Sequence, residues 1–330
     1  MNNKIPSMLG SHQNSYPELF KRHPNNPILT SKDWPYPANT VFNPAATIFE
    51  NKTLILARVE DRKGFSHLTK AISEDGETTW VIDNKPTILA EPNIHPEERW
   101  GIEDPRITWI PDLEKYAVVY TAFSRTGPLV SLALTTDFEN FEKHGSIMSP
   151  EDKDAALFPR RFNGKYVLIH RPSSGDYRSH IWISYSNDLK NWGEHQILLN
   201  ARKGGWWDAN KIGLSAQPLE TADGWLILYH GVKQTAAGSN YRLGLALLDL
   251  ENPSKVLKRS DEWIFGPQEP YEKFGDVDNV VFPCGWIHEP MTGLVRMYYG
   301  GADSCIALAT ATMNDLLQYM KTCPEPIEDD

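Results

Sequence analysis

An all-β fold is predicted for this chain: a five-bladed β-propeller with an N-terminal arm and a short C-terminal helix. Three observations lead to it. First, one phrase recurs five times: an apolar run ending near a proline, a turn, a second apolar strand, a third strand, then an acidic or amide turn. Pro44, Pro105, Pro159, Pro218 and Pro283 mark it at separations of 61, 54, 59 and 65 residues, and an all-β unit at such a period is the signature of a propeller blade. Second, a strand-like run follows each proline: Leu54-Ile55-Leu56, Tyr116 to Tyr120, Tyr166 to Ile169, Trp225 to Tyr229 and Leu294 to Tyr298. Third, apolar residues make up 40 % of the 330 residues and aromatics 11 %, with 11 tryptophans. That is enough to fill one large core, and no linker of the composition that separates two domains interrupts it.

The elements follow in order. Residues 1–38 are polar and carry Pro6, Pro17, Pro24, Pro27, Pro35 and Pro37, so they read as an arm that wraps or bridges. Because proline resists sheet pairing and loses little entropy on ordering, residues 1 to about 25 are expected to strap across a second copy in a homo-oligomer. The propeller occupies 39–312, with blades at 40–80, 101–141, 155–192, 211–250 and 280–312. Third strands echo one another, Ile181 to Ser186 against Leu243 to Leu248. Two end in an acidic or amide turn before a tryptophan, Ser73-Glu74-Asp75 with Trp80 and Ser186-Asn187-Asp188 with Trp192. Residues 313–330 form the helix and an acidic tail, the helix having Asn314 as its candidate cap.

Charge and cysteine usage exclude several classes. The formal net charge of −10 makes the surface as a whole repel nucleic acid and anionic lipid, so neither is expected as a partner. No segment approaches the roughly 20 apolar residues that span a bilayer, and residues 1–16 lack an apolar signal-peptide core. Cys284, Cys305 and Cys323 cannot all pair, and their spacing fits no zinc ribbon. Packed thiols in a reducing, cytoplasmic compartment and no metal site are expected. An acidic, tryptophan-rich all-β chain suits sugar binding, because aromatic faces stack on the apolar faces of pyranose rings.

A propeller gathers the turns of all its blades around one axis, so polar residues that interrupt strand ends are the candidates for chemistry. Blade one offers Arg58, Glu60, Asp61 and Arg62, and blade two Glu103, Asp104 and Arg106. Blade three contributes Lys153, Asp154, His170 and Arg171; blade four Asp208, Asn210, Lys211 and His230; blade five Asp303. Any one of these is an ordinary turn cap or surface ion pair. Together they set carboxylates from blades one, two and five against cations from blades three and four, an arrangement that suits a sugar gripped on one side and an anion on the other.

These residues carry a family resemblance. Phe42-Asn43-Pro44-Ala45-Ala46, Ala57 to Arg62, Gly101-Ile102-Glu103-Asp104-Pro105-Arg106, Lys153 to Pro159, His170-Arg171-Pro172, Trp206-Trp207-Asp208 with Lys211-Ile212-Gly213, and Tyr229-His230-Gly231 stand in order over nearly the whole chain. The chain resembles the glycoside hydrolase family 130 enzymes, five-bladed propellers that mostly phosphorylyse β-mannosides. The resemblance implies Asp104 as the single catalytic acid. It implies Asn43, Arg58, Asp61, Asp303 and Tyr241 as substrate-binding, and Lys153, Arg171, Lys211 and His230 as ligands of inorganic phosphate, a co-substrate with no further cofactor. It also implies transfer of the mannosyl unit to phosphate with inversion, giving α-D-mannose 1-phosphate. β-1,4-Linked mannose or N-acetylglucosamine and β-1,2-linked mannose stay open as leaving groups. Arg160-Arg161 departs from the acidic residue and lysine more common there. A β-mannoside hydrolase of the same family and a non-catalytic carbohydrate-binding propeller are the competing readings. The persistence of basic residues at 171, 211 and 230 favours phosphorolysis over the first.

Overall fold

The computed structural model describes residues 16–173, 178–236 and 238–326. Five antiparallel sheets form the blades of a ring. Blade one is Thr40–Phe49, Lys52–Glu60, Ser66–Ser73 and Val81–Ile82, and blade two Ile102–Ile110, Lys115–Ser124, Gly127–Thr135 and Glu142–Ser146. Blade three is Asp152–Leu157, Tyr166–Pro172, Ile181–Ser186 and Trp192–Leu199. Blade four is Lys211–Leu214 and Leu219–Thr221, then Gly224–Thr235, Gly238–Leu248 and Val256–Arg259; blade five is Val281–His288, Leu294–Gly301 and Cys305–Thr312.

The edge of blade five is closed from the other end of the chain. Lys21–Arg22 and Leu29–Thr30 pair antiparallel with Cys305–Thr312, in registers Arg22↔Ala309 and Leu29↔Ile306. So part of the segment expected as an arm serves as the outermost strand of the last blade. Its prolines fall outside these two short paired stretches, which is how a proline-rich segment still completes a sheet edge. Phe20, Leu29 and Trp34 are buried there. Arg22 clamps Glu272 with two bonds, Nε to Oε1 at 2.8 Å and Nη2 to Oε2 at 2.9 Å. Residues 1–15 of the expected strap lie outside the described residues.

The core sits in the seams between blades. Leu54 and Leu56 meet Ile107, Val118 and Tyr120 between blades one and two, Val119 and Leu132 meet Leu157 and Leu168 between two and three, and Ile169 and Ile183 meet Ile212, Ile227 and Tyr229 between three and four. Leu226 and Leu243 face Trp286 and Met297 in the next seam, and Ile55 and Ala57 face Tyr298 and Leu308 across the closure. Burial of each large side chain is worth about 1.5–3 kcal/mol. Blades four and five are also laced by a reciprocal pair, Trp286 Nε1 to Gln217 O at 2.7 Å and Gln217 Nε2 to Trp286 O at 2.9 Å.

The acidic turn proves to be a four-fold device. Asp75, Asp137, Asp188 and Asp249 each accept, through Oδ1, two backbone N–H groups two and three residues on, at 2.8–3.0 Å, the Asx turn that halts a strand. The helix Met313–Thr322 is capped by Thr312 rather than Asn314, Oγ1 accepting Asp315 N–H at 3.1 Å. Thr312 ends a strand in extended conformation, as a cap must. Met313, Leu316 and Met320 pack this helix onto the seam of blades four and five. Cys284, Cys305 and Cys323 are buried and unbridged.

Candidate active site

Three inner strands share one irregularity. Registers slip between Phe42 and Ala45, between Glu103 and Arg106, and between Lys153 and Ala156. Inside these bulges Asn43, Asp104 and Asp154 take φ of +44°, +47° and +55°. Left-handed backbone costs an L-residue about 1–2 kcal/mol, least for Asn and Asp. Three such residues at equivalent places mark a site where strain is stored. The proline spacing noted in the sequence tracks the blades only loosely: Pro44 and Pro105 follow bulge residues, but Ala155 stands at that place in blade three, while Pro159 and Pro218 lie beyond it.

Asn43 and Asp104 meet across the first seam. Asp104 Oδ1 accepts Asn43 Nδ2 at 2.9 Å and Arg58 Nη1 at 3.2 Å. The other arm of Arg58, Nη2, donates to Glu103 Oε1 at 3.2 Å, and its Nε to Ser66 Oγ at 2.9 Å. The guanidinium lies 4.6 Å over the Phe42 ring, which fixes its plane. Arg58 is thus shared by two adjacent carboxylates, with Glu60 a third at 3.5 Å. Burial pushes the Asp104 carboxyl up, but Arg58, Lys153 and Arg106 prevail and hold it below the usual range. Glu103 goes the other way: burial dominates and raises it. Asp303, in the turn after the second strand of blade five at φ +49°, is pushed up to about 7, first by burial and then by the charge of Asp104. One cationic fork therefore faces carboxyl groups with very different proton affinities, the pattern by which acid and base roles separate.

Facing this acidic group is a basic one centred on Asp154. Its Oδ2 accepts Arg171 Nε at 2.6 Å and lies 3.5 Å from His230 Nε2, while Oδ1 lies 3.6 Å from Arg106 Nη2. Lys153, paired across the strand with Arg171, pulls electrostatically on Asp104, Asp154 and Asp303 and so stands between the two groups. Lys211 is exposed, two residues before Gly213 on the same face of its strand. A Cβ at Gly213 would collide with the Asp154 carboxylate and the His230 ring, so that strand face looks onto the cluster. His230 enters as a neutral ring: burial lowers it to about 3 against the pull of Asp154. Of the four residues expected to receive phosphate, the cations are then Lys153, Arg171 and Lys211.

The remaining expected residues are placed as follows. Asp61 caps a turn, its Oδ1 accepting Lys63 N–H at 2.7 Å and Phe65 N–H at 3.0 Å. Tyr241 stands 6.0 Å from the His230 ring and 6.3 Å from Phe282 at the seam of blades four and five. Two residues with no role assigned from sequence are integral. Arg106, 1 % exposed, ties blade two to blade four by donating to Ser215 O at 2.8 Å and Leu214 O at 3.1 Å, and donates to Asp104 O at 2.8 Å. Asp154 is fully buried. Its sequence signal was the Asn43-Pro44, Asp104-Pro105 pattern, hidden because alanine follows it.

Comparison with known proteins gives a consistent picture. The profile of the family described as beta-1,4-mannooligosaccharide phosphorylase matches residues 19–322. A beta-1,4-mannooligosaccharide phosphorylase of Ruminococcus albus is 34 % identical over 313 residues, 92 % of each chain. A beta-1,2-mannobiose phosphorylase of Listeria innocua is 39 % identical over 280 residues, 83 % of this chain and 75 % of the other. The solved beta-1,2-mannobiose phosphorylase from Listeria innocua in complex with beta-1,2-mannobiose superposes with a TM-score of 0.83 at 31 % identity, covering 92 % of this chain and 99 % of that one.

Proposed function

The chain belongs to glycoside hydrolase family 130 and is a glycoside phosphorylase, and from that premise we propose that it cleaves β-mannosides by inverting phosphorolysis, releasing α-D-mannose 1-phosphate. The observation that carries this reading is the opposition of a buried acid, Asp104, to a cluster of fixed cations, Lys153 and Arg171, on the neighbouring blade. A hydrolase that inverts needs an acid and a second carboxylate to activate water. A phosphorylase needs only the acid, because phosphate is itself a nucleophile, and it needs cationic donors to orient that nucleophile behind C1.

In this reading Asn43, Arg58, Asp61, Asp303 and Tyr241 hold the mannosyl unit, and Lys153, Arg171 and Lys211 receive phosphate. His230 acts as a neutral donor or spacer. Asp104 is ionised while the site is empty, held so by Arg58, Lys153 and Arg106. An anion arriving beside Lys153 offsets part of that pull and shifts Asp104 toward its acid form when phosphate is bound. Proton affinity thus rises when a proton is needed at the leaving oxygen. No cofactor beyond phosphate is invoked. The phosphorylated product, being charged, is retained by a membrane, which fits a cytoplasmic location.

For the linkage, the higher identity to the β-1,2-mannobiose phosphorylase supports a β-1,2-mannoside over a β-1,4-mannoside. The test is to incubate the chain with β-1,2-mannobiose, β-1,4-mannobiose and mannosyl-N-acetylglucosamine, with and without phosphate, and to measure mannose 1-phosphate. Phosphate-dependent product, greatest with the β-1,2 substrate, is expected. Free mannose formed equally without phosphate would assign hydrolysis instead.

A further inference from the structure

The proposed anion site contains a carboxylate at its centre. Asp154 is fully buried, among Arg171, Lys153, Arg106 and His230, where its negative charge opposes the binding of any anion. Its backbone is in a strained left-handed conformation, φ +55°, and glycine at 213 leaves the space it fills. A group retained against both costs calls for a reason beyond neutralising a neighbour.

Geometry supplies one. Oδ2 takes Nε of Arg171 at 2.6 Å. The two Nη groups of Arg171 make no hydrogen bond among the described residues, and the side chain keeps a small exposed edge. Arg171 is pinned at a second point, its backbone N–H donating to Asp152 Oδ1 at 3.1 Å. A guanidinium is planar, so one bond at Nε together with a fixed backbone sets the direction of the opposite edge. The same Oδ2 faces His230 Nε2 at 3.5 Å. The other ring nitrogen, Nδ1, faces Ser215 Oγ at 3.5 Å.

We infer that Asp154 is a positioning residue of the anion site, orienting Arg171 so that its Nη edge meets the phosphate. This rests on the phosphorolysis reading above. Asp154 itself is shut off from solvent and acts through Arg171.

The experiment is a double-mutant cycle on the full chain with phosphate as the varied substrate. Asp154→Asn keeps shape and tolerates the left-handed backbone while replacing the charged acceptor of the Arg171 bond by a neutral, weaker one. The phosphate KM should rise about tenfold, with the mannoside KM within about twofold. In an Arg171→Ala background the same change should add nothing to the phosphate KM. Arg171→Lys, which leaves Asp154 intact and keeps the charge but loses the planar fork, should bind phosphate about as poorly as Arg171→Ala. A phosphate KM that stays flat or falls in Asp154→Asn while only thermal stability drops would reduce Asp154 to a structural counter-ion and overturn the inference. Additive effects with Arg171→Ala, or full phosphate affinity in Arg171→Lys, would overturn it equally. A wild-type rate independent of phosphate would sink the phosphorolysis reading and this inference with it. A wild type and Arg171→Ala that behave as proposed beside an unaltered Asp154→Asn would sink the inference alone.

Discussion

Replacing Arg58 by methionine tests the electrostatic core of the site, because one guanidinium serves two buried carboxylates. Methionine keeps an apolar stem against Phe42 while removing the bonds to Asp104 and Glu103, both at 3.2 Å. The Asp104 and Glu103 side chains are 5 % and 17 % exposed, so water offers little rescue, and the cations left are Lys153, which faces both, and Arg106, which faces Asp104. Breaking a buried pair by deleting one partner costs about 3–5 kcal/mol. At about 2 °C per kcal/mol for a chain of this size, Tm at pH 8 should fall by about 6–10 °C. The loss should depend on pH, with a definite sign. In the wild type the Asp104 carboxyl is held below its usual value, so its contribution is present above the unfolded value of about 4 and lost only as pH falls through the lower folded one. In Arg58→Met burial acts unopposed by Arg58, so the folded-state value of Asp104 rises above the unfolded one and that of Glu103, already above it, rises further. The penalty then exists above those raised values and fades as the carboxyls take up protons. Thermal unfolding of both proteins at pH 8 and pH 5 should therefore show the Tm gap narrowing at the lower pH. A gap of equal size at both, or none at pH 8, would refute the claim that Arg58 is the counter-charge of this pair.

Other outcomes follow from the same geometry. Asp104→Asn should lower kcat by at least about a hundredfold, the scale of general acid catalysis, with a smaller fall in Tm than in Arg58→Met, since asparagine accepts the φ of +47° and Arg58 keeps its bond to Glu103; near-normal turnover would remove Asp104 from the acid role. Arg171→Ala and Lys211→Ala should each raise the phosphate KM by about ten- to a hundredfold, as expected from about 1.5–3 kcal/mol per charge-assisted contact, and equal losses for the mannoside would argue for a fold defect. Arg22→Ala leaves buried Glu272 without the bidentate partner that anchors the closing strand, so stability should fall by about 3–5 kcal/mol with both KM values unchanged. Hydrogen exchange should then quicken first at Leu29–Thr30 and Cys305–Thr312, and uniform protection across the blades would show that closure does not depend on that pair.

Much of the architecture was legible in the chain itself because it depends on local alternation. Runs such as Trp225 to Tyr229 bury whole strands between sheets, and Asp75 and Asp188 stop strands through bonds to their own backbone, so both leave a mark within a few residues. Asp104, beside Pro105 in a stretch with two carboxylates and an arginine, stood out for the same reason. Contacts between segments far apart in sequence were decided by the folded ring alone. That Arg22 and Leu29 close the fifth blade depends on an edge presented about 280 residues later, and the prolines around them argued locally against pairing. The equivalence of Asp154 with Asn43 and Asp104 rests on a shared bulge that three different local sequences reach. The neutral state of His230 follows from its burial beside Gly213, against the pull of Asp154. Charge state and strand closure are set by the surroundings that other blades supply, and a residue's own neighbours in sequence carry no record of them.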